Sequence, residues 1–307
     1  VEVLLAADCM DDGARKVITD LRDTQIAMLE NLRFHPDAAA ADALFANTLG
    51  KHCEVYVNDA FGCSHRAHAS VHALAKLMPQ RAAGFLVEKE VATLEKLRSN
   101  PEHPFVAVLG GAKVSDKIEV IEVLMGKVDE LLIGGAMANT FLMAQGIDVG
   151  RSRIEEDKLP LARTLIAQAR EKNIQLILPI DVTVATDLKA TSGKAVDYRN
   201  IGYDEMALDI GPKTVQAYGE RLRRAKAVFW NGPMGLFENP AFAHGSFGVA
   251  RAMADCQGFT VVGGGDSVAA VHAANLADRY THVSTGGGAS LELIEGKKLP
   301  GVEVLRA

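Results

Sequence analysis

FVAVLGGAKVSDKIEVIEVLMGKVDELLIGG, residues 105–135, contains a strand, a glycine turn, a helix and a second strand in sequence. Phe105–Leu109 and Leu131–Ile133 are apolar runs of strand length. Between them Ile118, Ile121, Leu124, Met125 and Val128 recur at the spacing of one helix face. The same alternation extends outward. Apolar runs at Val1–Ala6, Val55–Val57, Ile174–Leu178, Ala227–Trp230, Phe259–Val262 and His282–Val283 predict further strands, with helical periodicity filling the gaps. Strands that alternate with helices of this length imply parallel sheets covered on both faces. In such sheets ligands bind beyond the carboxyl ends of the strands.

Four glycine-rich turns fall where such ligands would bind: VLGGAKVSDK (108–117), FWNGPMGLFE (229–238), VVGGGDSVAA (261–270) and VSTGGGASLE (283–292). Glycine lets the backbone approach an anion, and the free N–H groups at a helix start point towards it. Lys113 and Lys117 are four apart at the start of the Ile118 helix, so a regular helix would project both from one face. Cations there oppose the helix dipole, a conflict that a bound anion offsets. Asp266 and Ser267 stand at the mouth of the next helix, where Asp266 is either its cap or a magnesium ligand. Gly286–Gly288 form a run longer than a plain turn requires. Glu238 is either an ordinary surface acid or a hydrogen-bond partner for ribose hydroxyls. No GxxxxGK[ST] loop occurs, and GGGDSVAA fails the dinucleotide GxGxxG pattern at its third glycine, which argues against a nicotinamide dehydrogenase.

The first third of the chain carries a different chemistry. Arg33 in LENLRFH and Arg66 in NDAFGCSHRAHAS each follow an apolar run. Such arginines usually sit in surface ion pairs, but two at corresponding loop positions suit a carboxylate or phosphate. His65 and His68 are expected to be loop packing residues. Val87–Arg98 reads as a long exposed helix, broken by SNPEHP (99–104), where the domain boundary is expected.

Composition bounds the reading. A chain of 307 residues fits two domains, and 48% hydrophobic with 23% charged residues is ordinary for a globular protein. The net charge of −6 argues against a nucleic-acid partner. No apolar run reaches membrane-spanning length. Cys9, Cys53, Cys63 and Cys256 have no zinc-motif spacing, so a reducing, cytoplasmic setting is expected.

From Leu29 onward the chain resembles the phosphoglycerate kinase family. The matching segments, in family order, are LENLRFH, NDAFGCSHRAHAS, GGAKVSDKI, LIGGAMANTF, LPIDVTVA, LDIGPKT, FWNGPMGLFE, GGGDS and HVSTGGGASLELIEGKKLPGV. The resemblance implies an α/β protein with two parallel-sheet three-layer (αβα) Rossmann-like domains joined by a hinge helix. Residues 1–99 would be the remainder of the 3-phosphoglycerate-binding domain and 100–285 the nucleotide-binding domain, with 286–307 returning to the first. It implies reversible phosphoryl transfer between 1,3-bisphosphoglycerate and ADP, with hinge bending, by a monomer using Mg2+ and ATP or ADP. By motif, Arg33 and Arg66 resemble the substrate anchors. Lys113, Lys117, Gly287 and Gly288 resemble the groups that meet the transferring phosphoryl. Lys117, Gly134, Gly135, Asn231, Glu238, Gly264, Gly265, Asp266 and Ser267 resemble the nucleotide contacts, with Asp266 on the metal.

In one respect the chain departs from the family pattern. The family's opening R-x-D-F-N-type strand and S-H-L-G-R-P-type loop are not found. An amino-terminally incomplete chain is therefore expected. If Val1 is its true start, the expectation is a nucleotide-binding protein with turnover lost or severely reduced.

Overall fold

The computed structural model describes residues 1–40 and 42–306. The chain forms two compact units, Val1–Val91 with Lys297–Ala307 and Ala92–Gly296.

The smaller unit begins with β1 (Glu2–Leu5), α1 (Asp12–Thr19), β2 (Gln25–Met28), α2 (Pro36–Ala39) and α3 (Ala43–Gly50). β3 (Tyr56–Asn58), α4 (Leu74–Leu77), β4 (Arg81–Ala83) and the first turns of α5 (Phe85–Ser99) follow. β1 pairs with β2 and β3 with β4, both in parallel. Phe45, Ala46, Leu49, Leu74 and Met78 form its core with Cys9. Aspartates start three of the helices. Asp11 accepts the Ala14 N–H at 2.7 Å, Asp42 the Phe45 N–H at 2.7 Å, and Asp59 the Leu86 N–H at 2.7 Å. The helix expected to be exposed over 87–98 is α5, and it is only half so. Val87, Glu90, Leu94 and Leu97 are buried at helical spacing.

The larger unit runs β5 (Phe105–Leu109), α6 (Ile118–Leu124), β6 (Glu130–Ile133), α7 (Gly135–Ala144), α8 (Leu159–Glu171) and β7 (Gln175–Ile177). Next come β8 (Asp181–Ala185), β9 (Lys194–Asp197), β10 (Met206–Ile210), α9 (Pro212–Arg224) and β11 (Ala227–Asn231). It ends with α10 (His244–Ala254), β12 (Phe259–Gly263), α11 (Gly265–Ala273), β13 (His282–Val283) and α12 (Gly288–Ile294). Six parallel strands form one sheet in the order β13-β12-β11-β5-β6-β7. The chain builds outward from β5 to β7, then restarts beside β5 at β11 and builds the other way. The crevice at the carboxyl ends of β5 and β11 is therefore a topological switch point. β5 and β11 are buried along their whole length, as expected for strands covered on both faces.

The sequence reading did not foresee the small antiparallel sheet β10-β8-β9, which has a bulge between Ala207 and Asp209. Its strands are partly buried, so they lack the continuous apolar runs that reveal the main sheet. After α12 the chain returns to the smaller unit as α13 (Pro300–Arg306). There the Gly301 N–H donates to the Ser64 carbonyl at 2.9 Å, and Asn58 Nδ2 donates to the Gly301 carbonyl at 2.9 Å.

Tyr218 on α9 clamps the β6–β7 edge. Its buried hydroxyl lies 2.7 Å from the Ile133 carbonyl and 3.1 Å from that of Ile177. Tyr218→Phe leaves both strand ends without this donor and should lower unfolding free energy by about 1–3 kcal/mol. Urea denaturation checks this, and an unchanged midpoint would show that the hydroxyl contributes nothing.

Candidate functional site

Backbone hydrogen bonds draw the strand-end turns together at the switch point. The Gly110 N–H donates to the Asn231 carbonyl at 2.9 Å, Gly111 to Pro233 at 2.9 Å, and Gly135 to Met234 at 3.0 Å. Gly135 has φ +66°, and a Cβ there would stand 2.5 Å from the Gly111 nitrogen. No other residue fits. Gly134 does not line a cleft. It packs against Met234, whose sulfur would lie 2.4 Å from an added Cβ, and so supports the wall from behind.

Asn231, the buried last residue of β11, is held from both sides. Its Nδ2 donates to the Gly263 carbonyl at 2.8 Å, and its Oδ1 accepts from Lys117 Nζ. Ser267 Oγ donates to the Gly263 carbonyl at 2.6 Å and lies 3.1 Å from the Gly232 N–H, which it accepts. Both side chains spend these atoms on fixing the turns. Around them lies a cleft of about 230 Å³, lined by Lys117, Asn231, Gly264, Gly265, Asp266, Ser267, Gly287 and Gly288.

The structure separates the two lysines. Ser115–Lys117 form a 3-10 turn and α6 starts only at Ile118, so Lys113 lies on non-helical backbone, exposed and off the lining of the cleft that holds Lys117. Glu155 is the cause. Its carboxylate accepts the Val114 N–H at 2.5 Å, the Ser115 N–H at 3.1 Å and the Ser115 hydroxyl at 2.6 Å, pinning the loop before the helix begins. Burial raises the Glu155 pKa, but the hydrogen bonds from Ser115 and Val114 outweigh it and hold the group below its ordinary value. Sequence reasoning missed Glu155, whose only signal was the acidic run after Ile154.

Burial also holds the Lys117 ammonium below its ordinary pKa, against the opposing charges of Asp116, Asp266 and Glu295. The cap of α11 is Gly264, with no side-chain hydrogen bond. Asp266 is therefore not the helix cap. Its exposed carboxylate has no hydrogen-bond partner among the described residues, and it borders a second cleft as well as the first. The second cleft, of about 370 Å³, has Leu188, Met206, Leu208, Pro233 and Leu236 as apolar walls, with Gly135 beside them. Glu238, Arg151 and Arg153 stand on its lining. The arginines and the strand β10 wall were not foreseen, because they come from a polar loop and the small antiparallel sheet.

Three cleft glycines have open space where a side chain would go. A Cβ on Gly111, Gly265 or Gly287 would meet nothing within 4 Å. The walls are bare backbone facing a void.

In the smaller unit Arg33 rides on a 3-10 turn capped by Asn31, whose Oδ1 accepts the Arg33 N–H at 3.0 Å. Arg66 follows the Phe61–Cys63 turn. Both are exposed, and neither guanidinium has a partner among the described residues. Both lie near His68, whose pKa is lowered first by burial and then by the charges of Arg33 and Arg66. The ion-pair alternative for these arginines therefore fails, and they form an unneutralised cationic group.

Comparison with known proteins gives a consistent result. The family model described as "Phosphoglycerate kinase" matches residues 1–297. The phosphoglycerate kinase of Anaeromyxobacter sp. (strain Fw109-5) is 54% identical over 305 residues, 99% of this chain and 77% of the relative. That of Moorella thermoacetica is 53% identical over 299 residues, 97% of this chain and 76% of the relative. Among solved structures, phosphoglycerate kinase from Coxiella burnetii superposes with a TM-score of 0.87 at 37% identity, covering 100% of this chain and 77% of that one. The Pyrococcus horikoshii OT3 enzyme gives 0.88 at 33%, covering 100% and 78%.

Lys117 yields a test with a definite sign. Between its depressed folded value and 10.5, the unfolded chain holds a proton that the folded chain lacks, so folding becomes more favourable as pH rises. The unfolding free energy of the wild type should therefore climb relative to Lys117→Met across that alkaline window. Urea titrations of both proteins at stepped pH check this, and parallel profiles would refute it.

Proposed function

The chain belongs to the phosphoglycerate kinase family, and from that premise we propose how its residues carry out the family's reaction. That reaction is the reversible phosphoryl transfer between 1,3-bisphosphoglycerate and ADP that gives 3-phosphoglycerate and ATP in glycolysis. One juxtaposition carries the assignment of roles. At the switch point a desolvated lysine, an unpartnered carboxylate and glycines with open Cβ space share one cleft.

In this reading the larger unit binds the nucleotide. The apolar walls of the second cleft take the base, with Gly135 forming one side, Gly134 supporting it from behind and Glu238 meeting the ribose. The phosphates run past Asp266 into the smaller cleft, where the bare amides of Gly264, Gly265, Gly287 and Gly288 receive them. Ser267 and Asn231 keep those amides aimed. Lys117 neutralises charge on the group in flight, and Lys113 meets the phosphates from the exposed loop. The donor chemistry fits magnesium, since Asp266 offers a free hard oxygen beside the phosphate path. Bound there, Mg2+ would supply charge neutralisation and alignment of the phosphate oxygens.

The smaller unit binds 3-phosphoglycerate, with Arg33 and Arg66 as two-pronged partners for its phosphate and carboxylate. The attacking carboxylate is already ionised, so no general base is required. Catalysis rests on alignment and on electrostatic stabilisation of charge spread over three equatorial oxygens. In this reading turnover involves hinge bending at α5. The four free cysteines support a reducing, cytoplasmic setting, and no helix among the described residues is long and apolar enough to cross a membrane.

Gly265→Ala separates binding from folding. Alanine at the first turn of α11 meets no atom, so thermal stability should hold or rise by about 0.5–1 kcal/mol. The added methyl intrudes on the phosphate path, so MgADP affinity by calorimetry should fall at least tenfold. Asp266→Asn should remove the magnesium dependence of ADP binding while binding of metal-free ADP persists. Wild-type affinity in Gly265→Ala, together with an unchanged magnesium effect in Asp266→Asn, would overturn the assigned cleft. Turnover is read separately, as 3-phosphoglycerate-dependent ADP formation from MgATP.

A further inference from the structure

Beyond the carboxyl end of β1, the Asp8–Cys9 pair meets His35, which sits between the Arg33 turn and α2. One ligand atom from each residue lies within 4.8 Å of the other two. His35 Nε2 is 3.1 Å from Asp8 Oδ2, whereas Asp8 Oδ1 is taken by the Met10 N–H at 2.6 Å. Oδ2 is thus the oxygen left to face the cluster. Cys9 is buried and its thiol has no hydrogen bond to another residue's side chain among the described residues, while Asp8 and His35 are half-exposed. The surroundings are electronegative. Burial pushes the Cys9 thiol up first, and the carboxylates of Asp8, Asp11 and Glu30 push it further.

We propose that Asp8, Cys9 and His35 form a binding site for a soft divalent cation of the zinc class, open to solvent at its fourth position. The donor set decides the class. One sulfur, one imidazole nitrogen and one carboxylate oxygen suit a tetrahedral zinc-type ion, whereas magnesium and calcium demand oxygen. Bond lengths of about 2.0–2.3 Å to a tetrahedral ion put its ligands roughly 3.4–3.8 Å apart. The Asp8 and His35 atoms are already within that separation at 3.1 Å, and no atom of the cluster needs to move in by more than about 1 Å. On binding, the Cys9 S–H bond gives way to an S–metal bond and the proton leaves to solvent. The proton that His35 Nε2 shares with Asp8 leaves to solvent, the neutral ring keeps or takes up one on Nδ1, Nε2 binds the metal, and Asp8 Oδ2 changes from hydrogen-bond acceptor to ligand. A thiolate, a carboxylate and a neutral imidazole around a dication sum to zero charge, which a half-buried position accommodates. The site would fasten the loop after β1 to the turn that carries Arg33, and it does not depend on the kinase assignment.

Co2+ is the direct probe, used on the full chain with the accessible thiols removed by Cys53→Ser and Cys63→Ser. The expected result is binding of one cobalt ion with tetrahedral d–d bands and a sulfur-to-cobalt charge-transfer band, both displaced by Zn2+. Cys9→Ser should abolish the charge-transfer band, and His35→Gln should weaken binding at least tenfold. Cobalt held at Asp266 would give no sulfur band, so the two sites are distinguishable. A missing sulfur band, or one that persists in Cys9→Ser, would overturn the proposal. Should Cys9→Ser not fold, alkylation of the unsubstituted chain mapped by mass spectrometry decides the matter. Zn2+ should protect Cys9 and leave buried Cys256 unaffected, and equal labelling of Cys9 with and without zinc would refute the site.

Discussion

The parallel pairing of β5 with β11 is the constraint on which the larger unit's cleft depends. It sets Leu109 opposite Asn231, at the point where the sheet reverses its direction of growth. A slip of one residue would turn every side chain of the strand to the other face. Asn231 would lose Gly263 on one side and Lys117 on the other, and the strand-end turns would no longer register. Burial on both faces makes such a slip costly, because side chains of different size would have to repack in a close-packed interior. The hydrophobic pattern of FVAVL and AVFWN therefore fixes the site geometry as well as the sheet.

Around that constraint the cleft stores electrostatic tension. Lys117 is drawn out of water beside an asparagine oxygen, an arrangement that disfavours its charged form despite three nearby acids. A lysine on the open surface would be more comfortable and less useful. Removed from water, its charge interacts more strongly with an anion that later fills the space. Nearby Glu155 shows the opposite balance. Hydrogen bonds from Ser115 and Val114 stabilise its ionised form enough to overcome burial, so it acts as a permanent anchor for the loop. Two partly buried ionisable groups a few residues apart in space thus serve different ends. One is held rigidly charged, and the other is kept short of compensation.

The legibility of this chain in its sequence follows burial. Strands sealed on both faces announced themselves, so Phe105–Leu109, Ala227–Asn231 and Phe259–Gly263 were read to within a residue. The partly exposed strands of 181–210 did not, because short mixed runs resemble loops. The glycine turns pointed to the cleft correctly since bare backbone leaves a compositional mark. Helical spacing misled for Lys113, because a side chain forty residues away, Glu155, delays the start of α6. Arg151 and Arg153 carried no periodicity to detect. Their position on the second cleft follows from the packing of a loop against β10, a long-range arrangement that no local pattern encodes.

The charge inventory of the cleft explains why a metal belongs to the reading proposed here. Among the described residues lining the smaller cleft, Lys117 is the cation and Asp266 the anion. Their formal charges cancel when both are ionised, and desolvation weakens even the lysine's share. Backbone amides stabilise phosphate oxygens but bring no net charge. A nucleoside triphosphate whose phosphates entered the smaller cleft would bring several negative charges that its lining alone does not offset. In that reading the further positive charge would come with the nucleotide, as a divalent cation bound to its phosphates. An unpartnered carboxylate bordering both clefts would then be an asset, because it offers a free oxygen to a cation travelling with the phosphates.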